Sequence, residues 1–152
     1  NDVGATLDAY GESVEDARRY IREGTLAMAK WTNRLRDKVR AYPGHNDIFI
    51  ALRRAAYTEG GELLFVHAGL DPDLPVIEQN DDFWWGNPRF GTIDSPYYGF
   101  QKVVRGYERK HGGITLTPYI ATIDGGCGFG GTLDAACFTV DGKVVDQISV
   151  AS

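Results

Sequence analysis

The sequence predicts an α/β fold with helices first and strands concentrated in the second half. Three observations lead there. Between residues 13 and 57, apolar residues recur at helical spacing. Leu63-Leu64-Phe65-Val66 is an unbroken apolar run of strand type, as expected of a strand buried inside a sheet. Asp141-Gly142 stands between two strand-like runs, the strongest short hairpin signal a sequence carries.

Ser13-Val14-Glu15-Asp16 reads as a helix start: Ser13 can accept from the first turn, and Asp16 occupies the capping-box position. Val14, Ala17, Tyr20 and Ile21 supply its apolar face, and Gly24-Thr25 interrupts it. A second helix is predicted over Leu26 to Ala41, with Leu26, Met28, Trp31, Leu35 and Val39 on one side. Lys30, Arg34, Arg36, Lys38 and Arg40 form a basic row opposite, read as a solvated face. Pro43-Gly44 stops this helix. Asn46-Asp47 is predicted to cap a third helix, Ile48 to Tyr57, ended by Gly60-Gly61. After the Leu63–Val66 strand, residues 71 to 99 are rich in Asp, Pro, Gly and aromatics without a period, and a loop so long in a compact domain is usually functional. Lys102 to Arg105 and Pro118 to Ile123 read as short strands. Leu133 to Val140 and Lys143 to Val150 form the predicted hairpin.

A chain of 152 residues with 43 % hydrophobic and 24 % charged side chains has the balance of one soluble globular domain. A net charge of −5 argues against nucleic-acid binding, which calls for a basic patch. No apolar run approaches the ~20 residues of a membrane span. Asn1-Asp2-Val3-Gly4 shows no signal-peptide pattern, so a cytoplasmic location is expected. Cys127 and Cys137 are too few to suggest a disulfide framework and read as reduced thiols.

The chemistry gathers around His67. Leu63 to Val66 runs into His67-Ala68-Gly69-Leu70-Asp71-Pro72, which places an imidazole on a loop at the mouth of a buried strand, a position suited to metal ligation. This segment resembles the strand followed by Val-His-Ala-Gly of the calcineurin-like metallophosphatases, in the branch holding the Ser/Thr protein phosphatases and the diadenosine-tetraphosphate hydrolases. Four other stretches are similar to that family in order and spacing. They are Thr6-Leu7-Asp8-Ala9-Tyr10-Gly11; Pro43-Gly44-His45 with Ile48-Phe49; Phe83-Trp84-Trp85-Gly86-Asn87-Pro88-Arg89-Phe90; and Ile123-Asp124-Gly125-Gly126 with Gly130-Gly131-Thr132-Leu133. The resemblance implies the carboxy-terminal part of a calcineurin-like β-sandwich flanked by helices. Residues 1–152 would then be one domain of a larger metallophosphatase fold. It further implies a metal-dependent phosphoester hydrolase acting on Ser/Thr phosphoproteins or dinucleoside polyphosphates. The alternative is a catalytically inactive pseudophosphatase that serves as a binding or scaffold module.

The resemblance also marks departures. The family motifs Gly-Asp-x-His-Gly, Gly-Asp-x-Val-Asp-Arg-Gly and Gly-Asn-His-Asp/Glu do not occur in these residues. His67 matches one metal-ligand His. The segment that should read Val-Val-His-Gly-His-Thr is Val103-Val104-Arg105-Gly106-Tyr107-Glu108, so Tyr107 holds the second ligand position and Arg105 replaces the other His. A neutral phenol is a poor ligand beside imidazole. Asn87 takes the place of an expected phosphate-contacting arginine, with Arg89 close by. The expected site set is therefore His67 for metal, Tyr107 as a degenerate ligand position, and Arg89, Arg105 and Asn87 for phosphate. The intact family site takes a divalent metal pair of Mn, Fe or Zn; this chain alone is expected to lack most of its ligands. Expected partners are a phosphorylated substrate or the family's amino-terminal half, and a protein docking on the aromatic loop 83–100.

Other residues read more plainly. His45 and His111 are expected at the surface or at helix caps. Gly125 to Gly131 lacks the Lys-Ser/Thr of a phosphate loop and precedes a strand, so it reads as a tight turn. Cys127 has no local base to make it a nucleophile.

Overall fold

The structure, a computed structural model, describes residues 3–152. The Asn1-Asp2 start of the segment read above for targeting lies outside the described residues. The fold is mixed α/β, with helices first and a strand-rich second half. The chain divides into two units, Asn1–Leu52 and Arg53–Ser152.

The first unit is helical: α1 (Val3–Ala9), α2 (Val14–Glu23), α3 (Thr25–Ala41) and α4 (His45–Ala51). Ser13 caps α2 as its sequence predicts: its Oγ accepts the Asp16 N–H at 3.0 Å and donates to the Asp16 carboxylate at 2.9 Å. Gly24 alone, at φ 102°, joins α2 to α3. The basic row of α3 is not wholly solvated. Glu12, buried between α1 and α2, accepts from Trp31 Nε1 at 2.7 Å, from Arg34 Nε and Nη2 at 2.9 and 3.0 Å, and pairs with Lys38 Nζ at 2.7 Å. An acid placed 22 residues before its arginine was invisible to a reading of the helix alone.

The predicted third helix is shorter than expected. α4 ends at Ala51, and Gly44 in the left-handed region precedes it, so Asn46 and Asp47 lie inside the helix instead of capping it. Ala55–Tyr57 forms strand β1, paired antiparallel with Leu64 to Val66. Hydrogen bonding to that strand overrides local helical spacing.

The second unit is built on a five-stranded mixed sheet in the order β1-β2-β3-β5-β4. Here β2 is Leu63–Val66, β3 Lys102–Arg105, β4 Gly113–Leu116 and β5 Ile120–Asp124. β2, β3 and β5 are parallel, while β1 and β4 run antiparallel at the edges. β2 lies inside the sheet, as its unbroken apolar run predicts. β4 was not foreseen; Gly112-Gly113 at its start and Pro118 beyond its end masked a short run of alternating type. β6 (Thr132–Phe138) and β7 (Val144–Ala151) pair as a two-stranded antiparallel ribbon, with Gly142 at φ 82° in its turn.

Residues 71 to 99 are not structureless. They hold a 3-10 turn at Val76–Glu78, α5 (Asp82–Trp85) and a second 3-10 turn at Pro88–Thr92. Phe83, Phe90 and Tyr97 from this segment join Leu64, Val66, Leu70, Val103 and Ile120 in one buried cluster. The loop thus covers one face of the sheet. Buried Gln79 pins it: its amide donates to the carbonyls of Asp71 (2.7 Å) and Leu74 (2.8 Å), and its oxygen accepts the Asp71 N–H (2.9 Å). No described helix is long and apolar enough to cross a membrane.

Candidate functional site

The parallel pairing of β2 with β3 decides which residues meet. Val66 is the register partner of Arg105, so both strands end at the same level of the sheet. Beyond them the His67 carbonyl accepts from the Gly106 N–H at 3.0 Å and the Tyr107 N–H at 2.9 Å. These two bonds carry the parallel alignment past the strand ends. They set the Tyr107 ring against the His67 imidazole, with centroids 5.4 Å apart and planes 20° from parallel. His67 is exposed, and Trp84 flanks it at 6.1 Å. The position expected to hold a second ligand therefore presents an aromatic face to the first.

Residues 86 and 87 close the other side. The Ala68 N–H donates to Phe83 O at 2.9 Å, and the chain at Gly69 passes close to Gly86-Asn87: a Cβ on Gly69 would lie 3.3 Å from the Asn87 nitrogen. Gly86, at φ 80°, would press a Cβ to 3.3 Å from the Ala68 carbonyl oxygen. Glycine at these two positions lets the loop sit against the strand end. The result is a cleft of about 660 Å³ beyond the carboxyl ends of β2 and β3, lined by Trp85, Asn87, Arg105, Tyr107, Arg109 and Lys110 among others. Ligands of open α/β sheets bind outside the carboxyl ends of the strands.

Arg105 is the best-held polar group of this cleft. It points to the face that carries Val66 and Val103, where its guanidinium lies 4.5 Å over the buried Phe90 ring. Its Nε donates to Thr122 Oγ1 at 2.9 Å, and Nη1 reaches the Ala68 carbonyl at 3.5 Å. No carboxylate pairs with it among the described residues. Burial pushes its pKa below the ordinary arginine value, against the opposing charges of Glu108 and Asp124.

The remaining expected residues divide. Asn87 lines the cleft, but its side chain also caps the Pro88–Thr92 turn, accepting the Arg89 N–H at 2.9 Å and donating to Asp82 at 3.3 Å. Arg89 stands apart. It pairs with Asp73 at 2.6 Å and lies 3.6 Å from Asp71, in a separate hollow lined by Pro72, Asp73 and residues 92–98. That pairing holds the Arg89 pKa above and the Asp73 pKa below its ordinary value. The sequence, with Arg89 two residues from Asn87, gave no sign of these acids.

One pair was missed by sequence reading. His111, at φ 50°, sets Nδ1 2.8 Å from Asp124 Oδ2 and stacks on Phe129 at 4.4 Å. Asp124 also accepts the Glu108 N–H at 2.7 Å and the Gly126 N–H at 3.0 Å. Burial works to raise the Asp124 pKa, but these three bonds outweigh it and hold the carboxyl below its usual range. The pair fixes the 106–111 segment that carries Tyr107, Arg109 and Lys110. The signal was present in Asp124 at the end of a strand, but nothing in the sequence tied it to a histidine 13 residues earlier.

The residues present do not fit a dinuclear metal centre. His67 and His111 both lie near the strand ends, but the Tyr107 ring packs against each, and no group of three His, Cys, Asp or Glu suited to hold a metal occurs among the described residues. Compared with known proteins, the chain matches no family model, no curated protein and no solved structure.

Proposed function

We propose that this chain is the carboxy-terminal portion of a phosphoester hydrolase of the calcineurin-like kind, with the phosphoester seated in the cleft beyond β2 and β3. One observation supports the reading above others. Residues 67, 87, 105 and 107, singled out at three separate places in the sequence, come to the same strand ends. The substrate class proposed is a Ser/Thr phosphoprotein or a dinucleoside polyphosphate. The remaining metal ligands would come from residues other than those described.

Tyr107 stacked on His67 favours a second reading, the inactive pseudophosphatase that binds without hydrolysis. Metal analysis with p-nitrophenyl phosphate hydrolysis in Mn²⁺ separates the two. The hydrolase reading predicts that a protein carrying the additional ligands holds metal and turns over, and that His67→Ala abolishes both. Turnover untouched by His67→Ala would overturn the assignment of His67. Absence of both metal and turnover in such a protein would leave the binding module.

A further inference from the structure

We infer that the cleft holds a phosphate-type dianion on cationic side chains alone, through Arg105, Arg109 and Lys110, without a divalent metal. This rests on the phosphoester reading of the cleft but adds the means of binding. Two independent observations carry it.

The first is the state of Arg105. A guanidinium has five N–H donors. Two are engaged, by Thr122 and by the Ala68 carbonyl. The other three have no partner among the described residues, and no acid forms an ion pair with this half-buried charge. A charge taken out of water is retained at a cost unless something of opposite sign meets it. Arg89, in the same unit, has its two aspartates, whereas Arg105 has none. An anion entering the cleft supplies what Arg105 lacks.

The second is the segment that follows. Arg109 and Lys110 line the same cleft, are exposed, and form no ion pair among the described residues. One acid, Glu108, also lines it, and its carboxylate accepts the Lys110 backbone N–H at 3.0 Å. Three cations against one carboxylate leave a net positive lining in a chain whose total charge is −5. The backbone here is fixed, because the Glu108 N–H and the His111 ring are both tied to Asp124. A planar guanidinium suits the paired oxygens of a phosphate, and flanking point charges neutralise the rest. Trp85 and Tyr107 add apolar walls able to face an aromatic or nucleoside group on the same phosphate.

The test is calorimetric titration of the chain with inorganic phosphate and with p-nitrophenyl phosphate, at low ionic strength and in EDTA. Saturable one-site binding is expected in EDTA, weakened roughly tenfold or more in the double variant Arg109→Ala/Lys110→Ala. Those positions are exposed, so the variant should keep the fold; circular dichroism checks this. Arg105→Lys, which keeps the charge and loses the fork, should weaken binding as well. Tighter binding of the aryl ester than of phosphate assigns the site to phosphomonoesters, and equal affinity assigns it to the phosphate group itself. Binding seen only after Mn²⁺ is added would overturn this inference and leave the hydrolase reading standing. Binding in EDTA that the double variant leaves unchanged would overturn it too. No binding in either condition would overturn both.

Discussion

Glu12 gathers four donors from α3 into one buried carboxylate, and Arg34, bonded to it, lowers its pKa to about 2 against the raising effect of burial, with Lys38 and Trp31 adding. A depressed acid stabilises the fold above its unfolded pKa and loses that contribution as pH falls. The contribution is present in full above about pH 4.5 and is lost as the pH drops toward about 2. Glu12→Gln should therefore destabilise the helical unit by about 2 kcal/mol at pH 7, read by urea denaturation. The difference from wild type should shrink progressively below pH 4.5. At the cleft the expectation is opposite in kind. His67 is exposed, so His67→Ala should change stability by less than about 1 kcal/mol while altering whatever binds there. A large loss of stability would make His67 a packing residue instead.

Several element boundaries followed the local chemistry of the sequence, although the Asn46-Asp47 cap did not. The Ser13 cap, the Pro43-Gly44 stop, the buried β2 run and the Asp141-Gly142 turn are each set by a few adjacent residues, and each stands where expected. Ser13→Ala should cost about 1 kcal/mol through loss of the cap, measured as a lower thermal midpoint. Gly142→Ala should cost about 1–2 kcal/mol, because φ is 82° and a Cβ would meet Lys102 Cβ at 3.2 Å and Leu63 Cδ2 at 3.3 Å. What the sequence hid were pairings between distant segments. Ala55-Ala56-Tyr57 reads as the end of a helix until Leu64 to Val66 is known to lie beside it. Arg89 reads as a phosphate contact until Asp71 and Asp73 meet it, and His111 reads as a surface residue until Asp124 does. Of the candidate residues marked along the chain, His67, Asn87, Arg105 and Tyr107 come to neighbouring strand ends and Arg89 does not. Which of them keep their charge free for a ligand depended on partners 13 to 18 residues away.

Across the second unit, the segment 71–99 and the cleft share one support. Phe90 is fully buried in the core and also lies beneath the Arg105 guanidinium. Phe90→Ala should cost about 3–5 kcal/mol by denaturant titration. Where the fold survives, it should also weaken anion binding, since the surface that holds Arg105 is gone. The most direct check on the cleft is a ¹H–¹⁵N NMR titration of the chain with p-nitrophenyl phosphate. Saturable shifts should map to residues 67–69, 86–87 and 105–110, at the ends of β2 and β3. Shifts centred instead beneath the hairpin, at residues 132–136, or in the helical unit, would contradict a phosphoester site at these strand ends.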